Sequence, residues 1–257
     1  MNILITNDDG IKREGILALA RALKKIPDAK LYVFAPDSER TAASMALTVR
    51  EPLRLSSFDA SVFGAEMAFG CSGTPVDCVR LAWHYLKERG IEIDLLCSGI
   101  NHGTNIGGDV YFSGTVGAAR QGVMRGIPSI AFSLEHHGCS HFELFDRLVP
   151  GIIEKTFGRI PTGTLLNVNA PDLPEEEVKG VRIASLGRYR LIERYVPRAD
   201  EPNIFDLAAD YDSCENLAGP ESDTSLIEEG WITVTPLVVN YVPSEALALA
   251  ESWDLRF

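Results

Sequence analysis

The N-terminal part of the chain alternates short apolar runs with one amphipathic stretch. Residues 3–6 form an apolar run that stops at Asn7-Asp8-Asp9-Gly10, which is typical of a buried parallel strand that ends in a polar loop. Residues 16–23 carry apolar side chains at helical spacing, and residues 31–35 form a second apolar run. This strand–helix–strand order predicts a parallel sheet with right-handed crossovers.

The same alternation continues through the next part of the chain and predicts more strands and helices of the same kind. The predicted strands are residues 93–97, 127–132 and 164–168, and the predicted helices are residues 77–86, 116–124 and 142–157. The expected fold class is therefore α/β, with a Rossmann-like, parallel-rich sheet flanked by helices over residues 1–175.

The pattern changes in the last third of the chain. Residues 181–196 alternate and are rich in Arg and Tyr, which predicts an antiparallel hairpin, whereas residues 200–223 are acidic with scattered turn residues. Residues 231–236 predict a last strand of the core, and residues 244–250 predict a short closing helix. We expect residues 176–257 to form a C-terminal extension with a β-hairpin that makes contacts in an oligomer.

Composition narrows the class of protein. The 257 residues carry a formal net charge of -12, which argues against duplex nucleic acid as a partner because phosphate recognition needs clustered Lys and Arg. No apolar run is long enough to span a membrane, and the N-terminus lacks the pattern of a signal peptide. The 5 cysteines show no CxxC spacing, which indicates reduced, buried thiols. We therefore expect a cytoplasmic protein without a membrane partner.

The loop after the first strand carries two adjacent carboxylates, Asp8 and Asp9. A dinucleotide-binding fold would place GxGxxG there, so an NAD-dependent oxidoreductase is disfavoured. Ligands bind outside the carboxyl ends of parallel strands, and paired Asp side chains at that place suit a hard divalent ion such as Mg²⁺ or Mn²⁺. The alternative is structural: one Asp caps the helix that begins near Lys12, and the other is solvated.

Two further loops are expected at the same edge of the sheet. The loop after the second strand contains Thr41, whose hydroxyl could bind a metal, and Arg40, which could steady an anion; an ordinary surface loop explains both equally well. The segment 98–109 is rich in Gly and supplies the amides of Asn101 and Asn105, with His102 as a candidate for substrate contact or proton transfer. A mobile turn-forming loop is its alternative.

Ser113-Gly114-Thr115 precedes a helix, and free amides at a helix N-terminus favour an anion such as phosphate. A plain Ser or Thr cap is the alternative. Gly73-Thr74-Pro75-Val76-Asp77-Cys78 is interpreted as a structural turn into a helix, and His136, His137 and His141, which match no HExxH pattern, as loop or surface residues.

Together these segments resemble the survival protein SurE family. The resemblance rests on ordered blocks that span most of the chain: ILITNDDG, APDSER, GTPVDC, SGINHGTNIGGDV, YFSGTVGAA, LLNVNAP and ESDTSLIEEGWITVTPL. It departs from the family at Thr41, where Ser is usual, and at Thr104, where Pro is common. The β-branch of Thr41 restricts χ1 and bears on metal preference.

The resemblance implies a metal-dependent phosphatase of nucleoside 5'- and 3'-monophosphates, with short polyphosphate as a side substrate. It also implies a homodimer or homotetramer whose C-terminal extensions exchange between subunits. Carried over by position, the metal ligands are Asp8, Asp9, Thr41 and Asn101, and the phosphate-binding residues are Asn105, Ser113, Gly114 and Thr115.

The sequence does not decide between two nucleophiles: a metal-bound water, or Asp8, which would form an aspartyl phosphate. The competing functional class is a nucleotide-binding stress sensor without catalysis. All four expected ligand positions carry oxygen donors, which favours the enzyme.

Overall fold

In the computed structural model, which describes residues 1–135, 141–201, 203–216 and 218–239, nine strands form one sheet in the order β3-β4-β2-β1-β5-β6-β7-β11-β8. Neighbouring strands run parallel except at the β3–β4 and β7–β11 pairs. The strands are β1 Asn2–Thr6, β2 Lys30–Pro36, β3 Leu55–Ser57, β4 Met67–Cys71, β5 Leu95–His102, β6 Ser129–Leu134, β7 Thr164–Ala170, β8 Val181–Ile183, β9 Tyr189–Pro197, β10 Phe205–Asn216 and β11 Ile232–Val238. The helices are α1 Glu14–Leu23, α2 Pro75–Lys87, α3 Gly114–Met124, α4 Phe145–Thr156 and α5 Asp223–Glu228.

Helices cover the two faces of the sheet, and the alternation of side chains along β1 explains why. Ile3 and Ile5 point to one face, where they join a core cluster with α1 and α4. Leu4 points to the other face, where it joins a cluster with α2 and α3. Because both faces are covered, the central strands are buried along almost their whole length, as parallel strands usually are. The predicted α/β class is confirmed.

The N-termini of the helices are fixed by local capping. The Thr74 hydroxyl accepts a hydrogen bond from the Asp77 amide, and the Asp77 carboxylate accepts one from the Thr74 amide, which forms a capping box at α2 with Pro75 in the first turn. The interpretation of this segment as a structural turn is confirmed. At α3 the Ser113 hydroxyl accepts from the Val116 amide.

The C-terminal third differs from the sequence prediction in its pairings. A hairpin over residues 181–196 is wrong: β8 pairs in parallel with β11, and β9 pairs antiparallel with β10 in a separate two-stranded sheet. The second hairpin strand, β10, lies in the segment interpreted as acidic with scattered turn residues. This strand was not predicted from the sequence because its many polar residues resemble those of a loop. The last core strand is confirmed as β11, antiparallel to β7.

Some elements of the structure were not predicted from the sequence, and some predicted features lie outside the described residues. The edge strand β3, its neighbour β4 and the short helix α5 were not predicted. The closing helix predicted over residues 244–250 lies outside the described residues, as do His136, His137 and Cys139. Cys71, Cys78 and Cys97 are buried free thiols, as expected. No helix in the described part of the chain is long and apolar enough to cross a membrane. The boundary between residues 175 and 176 stays a prediction.

Candidate metal and phosphate site

Three polar loops meet at one edge of the sheet because β1 lies between β2 and β5. The loop after β1 carries Asp8 and Asp9, and its neighbours are bonded directly to it. The Arg40 amide donates to the Asp8 carbonyl at 2.7 Å. The His102 amide donates to Asp9 Oδ2 at 3.3 Å. The predicted convergence of these loops is therefore confirmed.

Asp8 is a buried carboxylate held by the start of α3. Only 5% of the residue is exposed. Its Oδ2 accepts from the Gly114 amide at 3.0 Å, and its Oδ1 accepts from the Thr115 hydroxyl at 2.5 Å. Burial raises the pKa of Asp8, although the bonds from Thr115 and Gly114 oppose that change.

Asp9 is the partly buried member of the pair. Burial, with a second contribution from the negative charge of Asp8, raises its pKa to about 7. Neither carboxylate caps α1, whose N-cap is Arg13 and has no side-chain capping bond. The structural alternative for the two Asp residues is therefore wrong.

The turn that presents these carboxylates is closed by Asn7. Its side-chain oxygen accepts from the Gly10 amide at 3.2 Å, and its side-chain nitrogen donates to the Gly10 carbonyl at 3.0 Å. Gly10 has a φ of 106°, which a residue with a side chain rarely adopts. The turn thus fixes Asp8 and Asp9 between two bonded ends.

Thr41 lies in an exposed loop, residues 37–46, called here the Thr41 loop. Its hydroxyl donates to Glu39 Oε1 at 2.7 Å, and Glu39 pairs with Arg13 at 2.9 Å. The hydroxyl proton is thereby directed to Glu39, so the lone pairs of the oxygen can face a cation. The side chain of Arg40 donates instead to the Ser72 carbonyl at 2.9 Å, so the structure gives it a bond within the protein rather than an open anion site.

Asn101 is the second-last residue of β5, and Asn105 lies in the loop after that strand. Asn101 directs its amide nitrogen to the Gly103 carbonyl at 2.7 Å, which leaves the side-chain oxygen to coordinate a cation. Asn105 is buried, and its amide nitrogen donates to Ser133 Oγ at 2.9 Å. Asn101 therefore suits a metal, while Asn105 is fixed in the interior beside β6.

The segment Ser113-Gly114-Thr115 holds Asp8 in this structure. Ser113 caps α3, so the capping alternative is correct for its hydroxyl. Gly114 is required by the close approach, because a Cβ there would lie 2.8 Å from the Asp8 Cβ. Direct phosphate binding by these residues stays a prediction.

Two buried polar residues of the site were missed from the sequence. Asn169 Oδ1 accepts from the Asn105 amide at 2.7 Å, and Asp223 Oδ1 accepts from the Gly187 amide at 2.7 Å. Asp223 also lies 3.3 Å from the Gly107 amide, and its burial raises its pKa. Asn169 could have been found from the sequence, because Asn residues alternate with apolar ones at the end of β7. For Asp223 the sequence offers only a helix-start pattern.

The residues present fit a hard divalent cation. No group of three His, Cys, Asp or Glu side chains suited to a metal occurs among the described residues, so a metal site must combine the two carboxylates with neutral oxygens. The described salt bridges do not include Asp8 or Asp9. Two adjacent acids with raised pKa values and no described salt bridge, with Thr41 and Asn101 oxygens next to backbone contacts to the same turn, make a donor set that Mg²⁺ or Mn²⁺ prefers.

Comparison with known proteins shows the family of this chain. The family model for survival protein SurE matches residues 3–193. A "5'-nucleotidase SurE" of Vibrio cholerae is 40% identical over 98% of this chain and 97% of its own length. One from Trichodesmium erythraeum is 36% identical over 99% and 98% of the two chains. The crystal structure of the SurE protein from Aquifex aeolicus superimposes with a TM-score of 0.82 at 32% identity, covering 98% of this chain and 99% of the other. This chain therefore belongs to the survival protein SurE family.

Proposed function

We propose that this chain is a divalent-metal-dependent 5'-nucleotidase that releases phosphate from nucleoside monophosphates. The nucleotidase activity follows from membership of the family together with the curated nucleotidases of similar sequence. The single observation that supports metal dependence is the pair Asp8 and Asp9, two acids with raised pKa values at the end of a central strand.

The proposed cation is Mg²⁺ or Mn²⁺, bound by Asp8, Asp9, Thr41 and Asn101. When bound, such a cation neutralises charge that develops on the transferred phosphoryl group. Hydrogen bonds within the chain hold the Asp8 carboxylate in place for this cation. Thr115 and Gly114 donate to its two oxygens, which fixes the carboxylate and favours its charged form.

The substrate is proposed to enter beside the start of α3, with Asn105, Ser113, Gly114 and Thr115 next to its phosphate. Because Gly114 and Thr115 already donate to Asp8, they act on the phosphate by setting the position of that carboxylate. Asp8 is thus held firmly enough either to attack phosphorus itself or to orient an attacking water. A phosphoenzyme burst in rapid-quench experiments would identify the first path.

We also propose that the chain hydrolyses nucleoside 3'-monophosphates and short polyphosphate. This addition rests on the family resemblance. The alternative is a nucleotide-binding stress sensor without turnover. The oxygen donors at all four ligand positions support the enzyme. A cytoplasmic location stays a prediction.

The function is tested by phosphate release from a panel of nucleoside 5'- and 3'-monophosphates, with EDTA and then with added Mg²⁺ or Mn²⁺. We expect release that stops with EDTA and returns with metal. Asp8→Asn should lower kcat at least about a thousandfold, because several kcal/mol of charge stabilisation are lost. Asp28→Asn, a matched change at an exposed carboxylate before β2, should stay within about twofold of wild type. A folded wild type that binds nucleotide without turnover under any metal would support the sensor instead.

The raised pKa of Asp9 predicts a pH dependence of stability in the metal-free protein. Its pKa is about 7 when folded, against an ordinary value of 3.8, so the folded state binds the proton more tightly than the unfolded state does. Stability in EDTA should therefore fall as pH rises from about 4 to about 7, by on the order of 1 kcal/mol per pH unit after solvent screening. Mg²⁺ or Mn²⁺ should remove the decline, since a cation favours the charged form.

Chemical denaturation across this pH range measures the effect, and Asp9→Asn is the control that cannot titrate at this position. An equally steep decline in Asp9→Asn would contradict the assignment of the pH dependence to Asp9.

The β9–β10 hairpin is proposed to make the contacts of a homodimer or homotetramer. Five apolar side chains of the hairpin region are 40 to 68% exposed, and an isolated two-stranded ribbon is marginal in water. They are Tyr195 68%, Val196 40%, Ile204 42%, Phe205 54% and Leu207 54%.

Light scattering with size exclusion should find an oligomer for the wild type and a smaller species for the double variant Phe205→Glu/Leu207→Glu. Val62→Glu, at a position 53% exposed outside the hairpin, should leave the mass unchanged. A monomeric wild type would contradict this part of the proposal.

A further inference from the structure

The Thr41 loop is bonded, just past Thr41, to the segment that precedes helix α3. The Ser44 amide donates to the Phe112 carbonyl at 2.9 Å. The Ser44 hydroxyl donates to the Tyr111 carbonyl at 2.6 Å. On the other side of Thr41, the Arg40 amide donates to the Asp8 carbonyl at 2.7 Å. Thr41 is therefore held between an anchor on the Asp8 loop and an anchor on the residues just before α3.

The backbone of this loop is strained between the two anchors. Ala42 has a φ of 57° and Ser44 a φ of 48°, in the left-handed region that residues with a side chain disfavour. Such conformations persist only where surrounding contacts determine them, and they are often found at functional sites. The fastening at Ser44 is thus needed to keep the loop in this shape.

The fastening depends on the absence of a side chain at Gly117, in the first turns of α3. A Cβ at that position would lie 2.1 Å from the Ser44 carbonyl oxygen and 2.8 Å from its carbonyl carbon. Both contacts are with backbone, so no flexible side chain can turn away to relieve them. Any side chain at residue 117 must push the loop off the helix.

We infer that Gly117 is a positioning residue for Thr41: its lack of a side chain lets the Thr41 loop pack against α3 and so fixes the position of Thr41 relative to the Asp8-Asp9 turn. The same helix positions the other half of the site, because Gly114 and Thr115 donate to Asp8. One helix start thus fixes two proposed ligands from different strands. The inference rests on the proposed metal site and identifies what makes that site rigid.

Mn²⁺ binding by isothermal titration of the full chain tests this directly, without turnover. Gly117→Ala should weaken Mn²⁺ binding about tenfold or more, the usual effect of disturbing the support of a metal ligand. Ser44→Ala, which removes only the hydroxyl bond to Tyr111, should weaken it by a smaller factor. At saturating Mn²⁺, the kcat of Gly117→Ala for a nucleoside 5'-monophosphate should return to the wild-type level, whereas general structural damage would lower kcat at every Mn²⁺ concentration.

Gly151→Ala is the matched control, because Gly151 lies inside α4 with no atom within 4 Å of an added Cβ. Gly151→Ala raises helix propensity as much as Gly117→Ala does, and this control should bind Mn²⁺ as the wild type does. If Gly117→Ala does not fold, Ser44→Ala decides the question.

Unchanged Mn²⁺ affinity in both Gly117→Ala and Ser44→Ala would overturn the inference. A loss of Mn²⁺ affinity in Gly151→Ala equal to that in Gly117→Ala would also overturn it. Failure of the proposed function is distinguishable, because in that case the wild type itself would not bind Mn²⁺.

Discussion

The confinement of two adjacent carboxylates at the end of a buried strand is the constraint on which the rest of the site depends. Asp8 is almost fully buried and Asp9 partly so, and burial raises the pKa of both. Removing such charges from water is unfavourable unless donors or a cation compensate. The protein supplies amide and hydroxyl donors to Asp8 and one backbone amide to Asp9. Because Asp9 receives fewer hydrogen bonds than Asp8, its negative charge is the one that a cation would stabilise most.

The position of each loop follows from that constraint. Because β1 lies at the centre of the sheet, loops from both neighbouring strands can reach its end. Each is joined to the Asp8-Asp9 turn through the residue next to a proposed ligand: Arg40 precedes Thr41, and His102 follows Asn101. Helix α3 completes the arrangement, since its first turn holds Asp8 and its next turn receives the Thr41 loop at Gly117. The site is thus built from backbone contacts that small residues permit.

The parallel core could be predicted from the sequence because its strands are apolar runs that stop abruptly at polar residues, as β1 does at Asn7. The convergence of the site loops followed from the same rule. Strands β3 and β4 escaped prediction because they are short, and β10 because its many polar residues resemble those of a loop. The bonds from Gly114 and Thr115 to Asp8 could not be predicted, since they join residues more than 100 positions apart. A local pattern suggested a free anion site there, and only the tertiary fold shows that a carboxylate of the chain itself lies at that helix start.

Anomalous diffraction from crystals of the full chain soaked in Mn²⁺ tests the central claim most directly. The account predicts one Mn²⁺ at the end of β1, with oxygens of Asp8, Asp9, Thr41 and Asn101 at about 2.1 Å, the spacing typical of a small divalent ion. A Mn²⁺ bound elsewhere, or an empty site at a concentration that saturates Mn²⁺-dependent activity, would contradict it.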